Sequence, residues 1–548
     1  MVGTRAGTNH EVWVQKNWVS WLLKSSGLAS RKTCETLVIS SSTIQGHLMA
    51  FTPTFEQEPI IASKAKKLVV RAYAGTGKTS TLVAFARANP SEQMLYLAYN
   101  RAIRDEATKK FPRNVTCKTT HQMAFTGYGK TLQHKLKGNL RPVEVARDYE
   151  CNYQVAAAAI ATVSCYMNSA DQFITQAHYR RAQEMKSKKS KKKDDPRLAS
   201  AAIKVAEALW NEMQDPYSKQ IAVHDVYLKQ YQLSRPDLSA QYSVILFDEG
   251  QDSNELTTDI VFSQTKARVI TVGDEHQQIY QFRGAIDALS HPQLHDAEQL
   301  RLTNSFRFGP NVAAMANVLL RYKGEDVPLV GLGGEDRIVV SSEFKLSDSK
   351  PPFAFIARTV MGVIEAALFF SSRGLSIELV GGFDAYDFKG ILDVYWLSKD
   401  EPQNIQNKRL LEDYPDYTAY QIVAQEARDV EMLRAVKVVD SYPNLPDNLA
   451  ILKSQLVKGG QQAQMVITTA HKSKGLEWDQ VYLCDDFPDL TDDEIPMQEM
   501  LGEVNLQYVA LTRAKKLLVI TPTLLNLVKL VKTGFRLTDL YRSKSLSA

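Results

Sequence analysis

The sequence predicts an α/β protein made of two parallel-sheet domains, each carrying a mostly helical insertion. Three observations carry this. Short apolar, β-branched runs alternate with helical stretches in two separate blocks, the pattern of doubly wound sheets buried on both faces. A glycine-bearing turn follows the first run and opens directly into a helix. The 548 residues exceed what one hydrophobic core sustains and imply two to four domains.

Composition narrows the class. Hydrophobic residues make up 44% of the chain, yet no apolar run approaches the roughly 18 residues of a membrane span, so no membrane partner is expected. Net charge is only +5, which points to a polyanionic partner through local clusters of lysine and arginine, not through the total. Cys34, Cys117, Cys151, Cys165 and Cys484 show neither CxxC nor Cys/His spacing, which argues against a disulfide framework or a zinc site and for a reducing, intracellular compartment.

Taken in order, residues 1–48 set Trp13, Trp18 and Trp21 among Ser, Lys and Thr without a signal-peptide pattern. Met49 directly precedes the organised chain, so the expectation is a leader of unassigned role or a native start at Met49. The first block has strands at Leu68 to Ala72, Met94 to Ala98, Val115 to Thr119, Val244 to Asp248 and Val269 to Gly273. It occupies 49–124 and 236–295, around a helical insertion at 125–235 that holds Ala156 to Ala159 and a lysine run from Lys186 to Lys193. That run reads as a solvated loop or as an arm for nucleic-acid phosphates. The second block, at 296–383 and 463–530, has strands at Ile338 to Ser341, Phe353 to Ala357, Ile377 to Val380, Met465 to Thr469, Val481 to Cys484 and Leu517 to Ile520. A polar stretch with helical pieces interrupts it at 384–462, and 531–548 form a tail.

The glycine turn is a phosphate-binding loop: Ala74, Gly75, Thr76, Gly77, Lys78, Thr79 and Ser80 follow an apolar strand and lead into helix formers. Backbone N–H groups of such a loop wrap a polyphosphate, Lys78 reaches the β and γ oxygens, and the Thr79 hydroxyl ligates Mg²⁺. Ala72 stands where the strict pattern has its first glycine, which requires a negative φ there. The fourth strand ends in Asp248-Glu249-Gly250-Gln251-Asp252, at the carboxyl edge where α/β ligands bind. Asp248 can hold Mg²⁺ through water, and Glu249 can polarise the water that attacks a γ-phosphate. Tyr99, Tyr280 and Phe282 fall in loops leaving strands, where their rings either stack on unpaired bases or fill the core.

The stretch from Thr271 to Ala285, together with Asp248 to Asp252, resembles the UvrD/Rep-like branch of superfamily-one DNA helicases, and more closely the F-box DNA helicases. Further matches appear in that family's order: Phe55-Glu56-Gln57, Tyr96 to Arg101, Thr119-Thr120-His121, Leu302 to Arg307, Thr468 to Asp479 and Tyr508 to Ala514. The resemblance spans about residues 50–525. It implies two RecA-like domains, ATP and Mg²⁺ as cofactors, and single-stranded DNA and duplex junctions as partners. By the same resemblance Gln57 contacts adenine, Phe306 the base and Glu477, with Gly475 beside it, the ribose. Gln277 senses the γ-phosphate, while Arg307 and Arg513 neutralise the transferring phosphoryl group. Tyr99, Asn100, Thr120, His121, Tyr280, Phe282 and His471 would meet the strand. Gly250 stands where the family has Ala, an exchange expected to matter little. No F-box is recognisable in residues 1–48, so ubiquitin-ligase partners are not expected and other protein partners stay unassigned. The resulting reading is an ATP-dependent 3′→5′ translocase that unwinds DNA. An RNA helicase and an ATP-driven DNA-binding or protein-stripping translocase with little unwinding are the alternatives.

Overall fold

The computed structural model describes residues 52–186, 195–281, 284–348, 350–427, 430–457 and 462–545. The readings for residues 1–48, for the lysine run beyond Lys186 and for Phe282 lie outside the described residues. The chain divides into two compact units, with the boundary between Thr303 and Asn304.

In the unit ending at Thr303, six strands form one all-parallel sheet: β1 (Lys67–Ala72), β2 (Met94–Ala98), β3 (Val115–Thr119), β4 (Val244–Phe247), β5 (Arg268–Gly273) and β6 (Glu298–Leu302). Their order is β3-β2-β4-β5-β1-β6. Side chains alternate across the sheet, as a period of two demands. Leu68, Val70, Met94 and Tyr96 pack with Leu82 and Phe85 of the helix Lys78–Ala88 on one face. Val69, Leu95, Leu97, Ile245 and Phe247 bury the other face under the insertion. The alanine run lies in the helix Tyr153–Met167, where buried Ala156 and Ala159 allow close packing against the helix Pro196–Gln214. Strand β6 was not among the strands expected. It is an edge strand whose Glu298, Gln299 and Arg301 face outward, so its composition reads as polar loop.

The second unit opens with a short parallel pair, β7 (Asn304–Ser305) and β8 (Val330–Gly331). Its main sheet contains β9 (Arg337–Val340), β10 (Phe353–Ala357), β11 (Ile377–Leu379), β12 (Met465–Thr469), β13 (Trp478–Leu483) and β14 (Ala514–Ile520). These run parallel in the order β11-β12-β10-β13-β14-β9. The chain between β11 and β12 is built of helices, among them Phe388–Ser398 and Leu445–Gln455. Ile391, Val394, Leu445 and Leu449 join Phe353, Ile377 and Met465 in one core. Among the described residues no helix is long and apolar enough to cross a membrane.

Candidate nucleotide site and nucleic-acid interface

Strand order places β5 between β4 and β1, so the loops that follow these three strands leave one sheet edge side by side. The loop after β1 turns through Gly75 (φ 75°) and Gly77 (φ 79°), a left-handed backbone that costs glycine nothing. Ala72 is the last residue of β1, paired with Leu302, and has no positive φ, so the missing glycine is tolerated. Thr76 Oγ1 donates to Tyr73 O at 2.9 Å and closes the turn. Lys78 and Thr79 open an eleven-residue helix whose first N–H groups have no intrahelical acceptor, a donor set that fits a polyphosphate. Ser80, one residue on, is exposed.

Gln57 is buried beside this helix: its Nε2 donates to Thr81 Oγ1 at 3.0 Å and its Oε1 accepts from Thr54 N at 3.1 Å. Its neighbour Glu56 accepts from Thr303 N at 2.8 Å, tying the segment to the end of β6. Phe55, between these anchored residues and the loop before them, is exposed.

Asp248 is buried at the end of β4. Its Oδ2 accepts from the Tyr96 hydroxyl at 2.7 Å and its Oδ1 from Glu249 N at 2.9 Å. Burial first, and the Glu249 charge second, raise the Asp248 carboxyl above the ordinary range, while Tyr96 and Lys78 oppose this. Burial and the same carboxylate push the Tyr96 hydroxyl well up. A buried acid so placed fits a divalent cation, whose charge stabilises the carboxylate form. Glu249 itself sits at φ 53°, ψ 41°, a left-handed conformation rare for a side-chain-bearing residue and typical of functional turns.

Gln277, five per cent exposed, donates through Nε2 to Asp274 Oδ2 at 2.6 Å. Two contacts join its loop to the end of β1 and the turn that follows: Arg71 Nη1 pairs with Glu275 Oε2 at 2.8 Å, and the Tyr73 and His276 rings lie 5.7 Å apart.

A cleft of about 560 Å³ in the same unit is lined by Asp248 and Glu249 together with Tyr99, Thr120, His121 and Tyr280. The Tyr99 and Tyr280 rings stack on each other, 5.7 Å apart and 14° from parallel. Tyr99 is 42% exposed, so its ring is not a core filler, and Tyr280 is half-buried against it. Thr119 caps the helix Thr120–Ala124 in a capping box with Gln122, which sets Thr120 and His121 on its first turn. His121 Nε2 lies 3.2 Å from Asp225 Oδ1, a carboxylate of the insertion. Asn100 spends its side-chain oxygen on Ile103 N at 2.9 Å, capping the helix Arg101–Lys110.

In the second unit, Phe306 is exposed beside Arg307. Arg307 donates through Nε to Glu477 Oε2 at 2.8 Å and through Nη1 to Thr512 O at 3.0 Å. Arg513 is buried and donates to Val509 O, Leu476 O and Thr512 Oγ1 at 2.8, 3.3 and 3.1 Å. Thr512 thus joins Arg307 and Arg513, Glu477 joins Arg307, and Arg513 is engaged by its own unit. Gly475 (φ 86°) turns the chain before Glu477. His471 lies in the short helix Ala470–Ser473, capped by Thr469 after β12, which repeats the arrangement of Thr119 and His121 after β3.

Residues 54–289 match the UvrD/REP helicase N-terminal domain, and residues 423–524 match the UvrD-like helicase C-terminal domain. The chain belongs to the UvrD-like helicases. It is 31% identical over 525 residues to F-box DNA helicase 1 of Gallus gallus, covering 89% of this chain and 51% of that protein. It is 30% identical over 526 residues to F-box DNA helicase protein 1 of Schizosaccharomyces pombe, covering 87% and 58%. The chain therefore spans little more than half the length of these relatives.

Against the UvrD-like pattern, two features of the site were not anticipated. Gln251 and Asp274 join the acids after β4 to the loop after β5, though only the motif letters mark them in the sequence. The second is a correction: Gly250 does not exchange freely for Ala, because a Cβ there would lie 2.9 Å from Thr271 Cγ2 on the central strand β5.

Proposed function

We propose that the chain is an ATP-driven motor that moves 3′→5′ along single-stranded DNA and unwinds duplex. The observation that carries this is one cleft lined both by Asp248 and Glu249 and by Tyr99, Thr120, His121 and Tyr280. Hydrolytic acids and strand-facing rings line the same cleft, so in this reading a change at the nucleotide moves the strand.

In this reading the loop from Ala74 to Ser80 binds the phosphates, and Thr79 and Asp248 hold Mg²⁺. The ion, when bound, neutralises charge that builds on the phosphate oxygens. Glu249 accepts a proton from the attacking water, Gln277 reads the γ-phosphate, and Arg307 with Arg513 offsets charge on the transferring group. Gln57, Phe306 and Glu477, with Gly475 giving the turn, meet the nucleoside. Tyr99, Asn100, Thr120, His121, Tyr280, Phe282 and His471 meet the strand. Residues 49–124 and 236–303 form the first RecA-like domain around the 125–235 insertion, the boundary moving from the expected 295 because β6 pairs with β1. Residues 304–383 and 463–530 form the second, around 384–462.

The test is strand displacement on duplexes with a 3′ or a 5′ single-stranded tail, in DNA and in RNA, alongside ATP hydrolysis. Displacement of the 3′-tailed DNA alone is expected. Stimulation by RNA in preference to DNA, or stripping of a bound protein from single-stranded DNA without displacement, overturns the reading.

A further inference from the structure

We propose that Gln251 is the positioning residue of the hydrolytic carboxylate and ties it to the γ-phosphate-reading loop. The inference rests on the assignment of Glu249 as the base. Gln251 is fully buried, two residues beyond Glu249. Its Nε2 donates to Glu249 Oε2 at 2.5 Å, and its Oε1 accepts from Asp274 N at 2.9 Å. Asp274 in turn accepts from Gln277 Nε2 at 2.6 Å and from His276 N at 3.0 Å. A continuous chain therefore runs from Glu249 through Gln251 and Asp274 to Gln277, across adjacent strands β4 and β5.

Both ends of the amide are used, and each use is directional. An amide N–H can only donate, so it orients one Glu249 oxygen, and Glu249 needs such a hold because its left-handed backbone persists only where its surroundings determine it. The space for the amide is specific as well. A Cβ at Gly273 would stand 2.3 Å from Gln251 Oε1 and 2.8 Å from Leu289 Cδ1, so glycine at the end of β5 is what admits the side chain. Of the side-chain hydrogen bonds Gln251 makes among the described residues, the one to Glu249 reaches a position assigned to nucleotide, metal or strand, and its effect passes through that carboxylate.

Two variants separate the bonds. Gln251→Met keeps an unbranched side chain of similar length and removes both. Gln251→Glu keeps an acceptor for Asp274 N but sets a second carboxyl against Glu249, so the pair shares one proton and the N–H donation to an ionised Glu249 is lost. With saturating single-stranded DNA, each is expected to lower kcat for ATP about 10–100-fold, the usual cost of removing a group that orients a catalytic one. KM for ATP should stay within about twofold of wild type, the split expected when only transition-state stabilisation is lost. In a Glu249→Gln background, adding Gln251→Met should change the residual single-turnover rate by less than about twofold, because residues that act through one another are not additive. A merely structural role would instead lower the melting temperature and raise KM, and would subtract again in the double variant. Near-normal kcat in a folded Gln251→Glu protein, or additive losses, overturns the inference, and that variant carries the test should Gln251→Met not fold. Hydrolysis surviving in Glu249→Gln alone is a different result, which removes the base assignment itself.

Discussion

Gly250→Ala adds one methyl group between Glu249 and Gln251, and the structure says where it goes. Gly250 has no positive φ, so the backbone accepts alanine and the cost is one of space. The new Cβ would stand 2.9 Å from Thr271 Cγ2, about half an ångström inside ordinary contact, and 3.6 Å from Leu289 Cδ1. Thr271 cannot retreat with its backbone, for it is fully buried on β5 and paired with Phe247 on one side and Val69 on the other. It can turn about χ1, because its hydroxyl has no hydrogen-bond partner among the described residues to lose. Overpacking of a core by a methyl costs about 1–3 kcal/mol, and the free rotation places this site in the lower half of that range. At roughly 2–4 °C per kcal/mol for a domain of this size, the melting temperature should fall by several degrees. Thr271→Ser removes the offending methyl and on its own costs about 1 kcal/mol, as a small cavity does. The two changes together should leave the protein more stable than the sum of the singles by about 1 kcal/mol or more. Urea unfolding of wild type, both singles and the double measures that coupling. Wild-type stability of Gly250→Ala, or additive singles, would refute the reasoning.

Lys78→Ala should weaken MgATP binding, whereas Glu249→Gln should bind as wild type does while kcat falls about 10²–10⁴-fold; equilibrium binding and hydrolysis at saturating DNA decide it, and near-normal turnover in Glu249→Gln would remove the base. Arg307→Ala should lower kcat about 10³-fold or more if the guanidinium meets the phosphoryl group, but change only stability, by about 1 kcal/mol or less, if its part ends at the ion pair with Glu477. Lys229 is buried, donates to Ser169 O at 3.0 Å and to Asp171 O, and burial lowers its pKa from its ordinary value to about 8. Between that value and about 10.4, the unfolded chain binds the more protons, so this lysine makes stability rise with pH through that window. Urea unfolding at pH 7 and pH 9.5 should show that rise in wild type and a flatter profile in Lys229→Met; equal profiles would count against a charged, desolvated lysine.

Much of the fold was legible because it rests on local rules. Met94 to Ala98, Phe353 to Ala357 and Met465 to Thr469 match the observed strands residue for residue, since a strand buried on both faces must be a continuous apolar or β-branched run. The edge strand Val115 to Thr119 also matches, carried by its β-branched Val115, Thr116 and Thr119. Strand β6 escaped because it is an edge exposed to water whose residues, Glu298 to Leu302, include neither an apolar run nor a β-branched side chain. The glycine turn after β1 and the place of the acids after β4 were equally plain, because backbone conformation and charge are carried by residue type at fixed spacing. The partners of those residues were not. Tyr96 meets Asp248 across 152 positions, Thr81 meets Gln57 across 24 and Asp225 meets His121 across 104, and each depends on strand order and on where an insertion helix packs. Tyr99 and Tyr280 each read as ring or core filler, and packing made them a stacked pair on a cleft wall. The place of Gln251 was hidden for the same reason. A glutamine two residues after an acid becomes its anchor only when the sheet sets β5 beside β4 and a glycine there leaves the amide room.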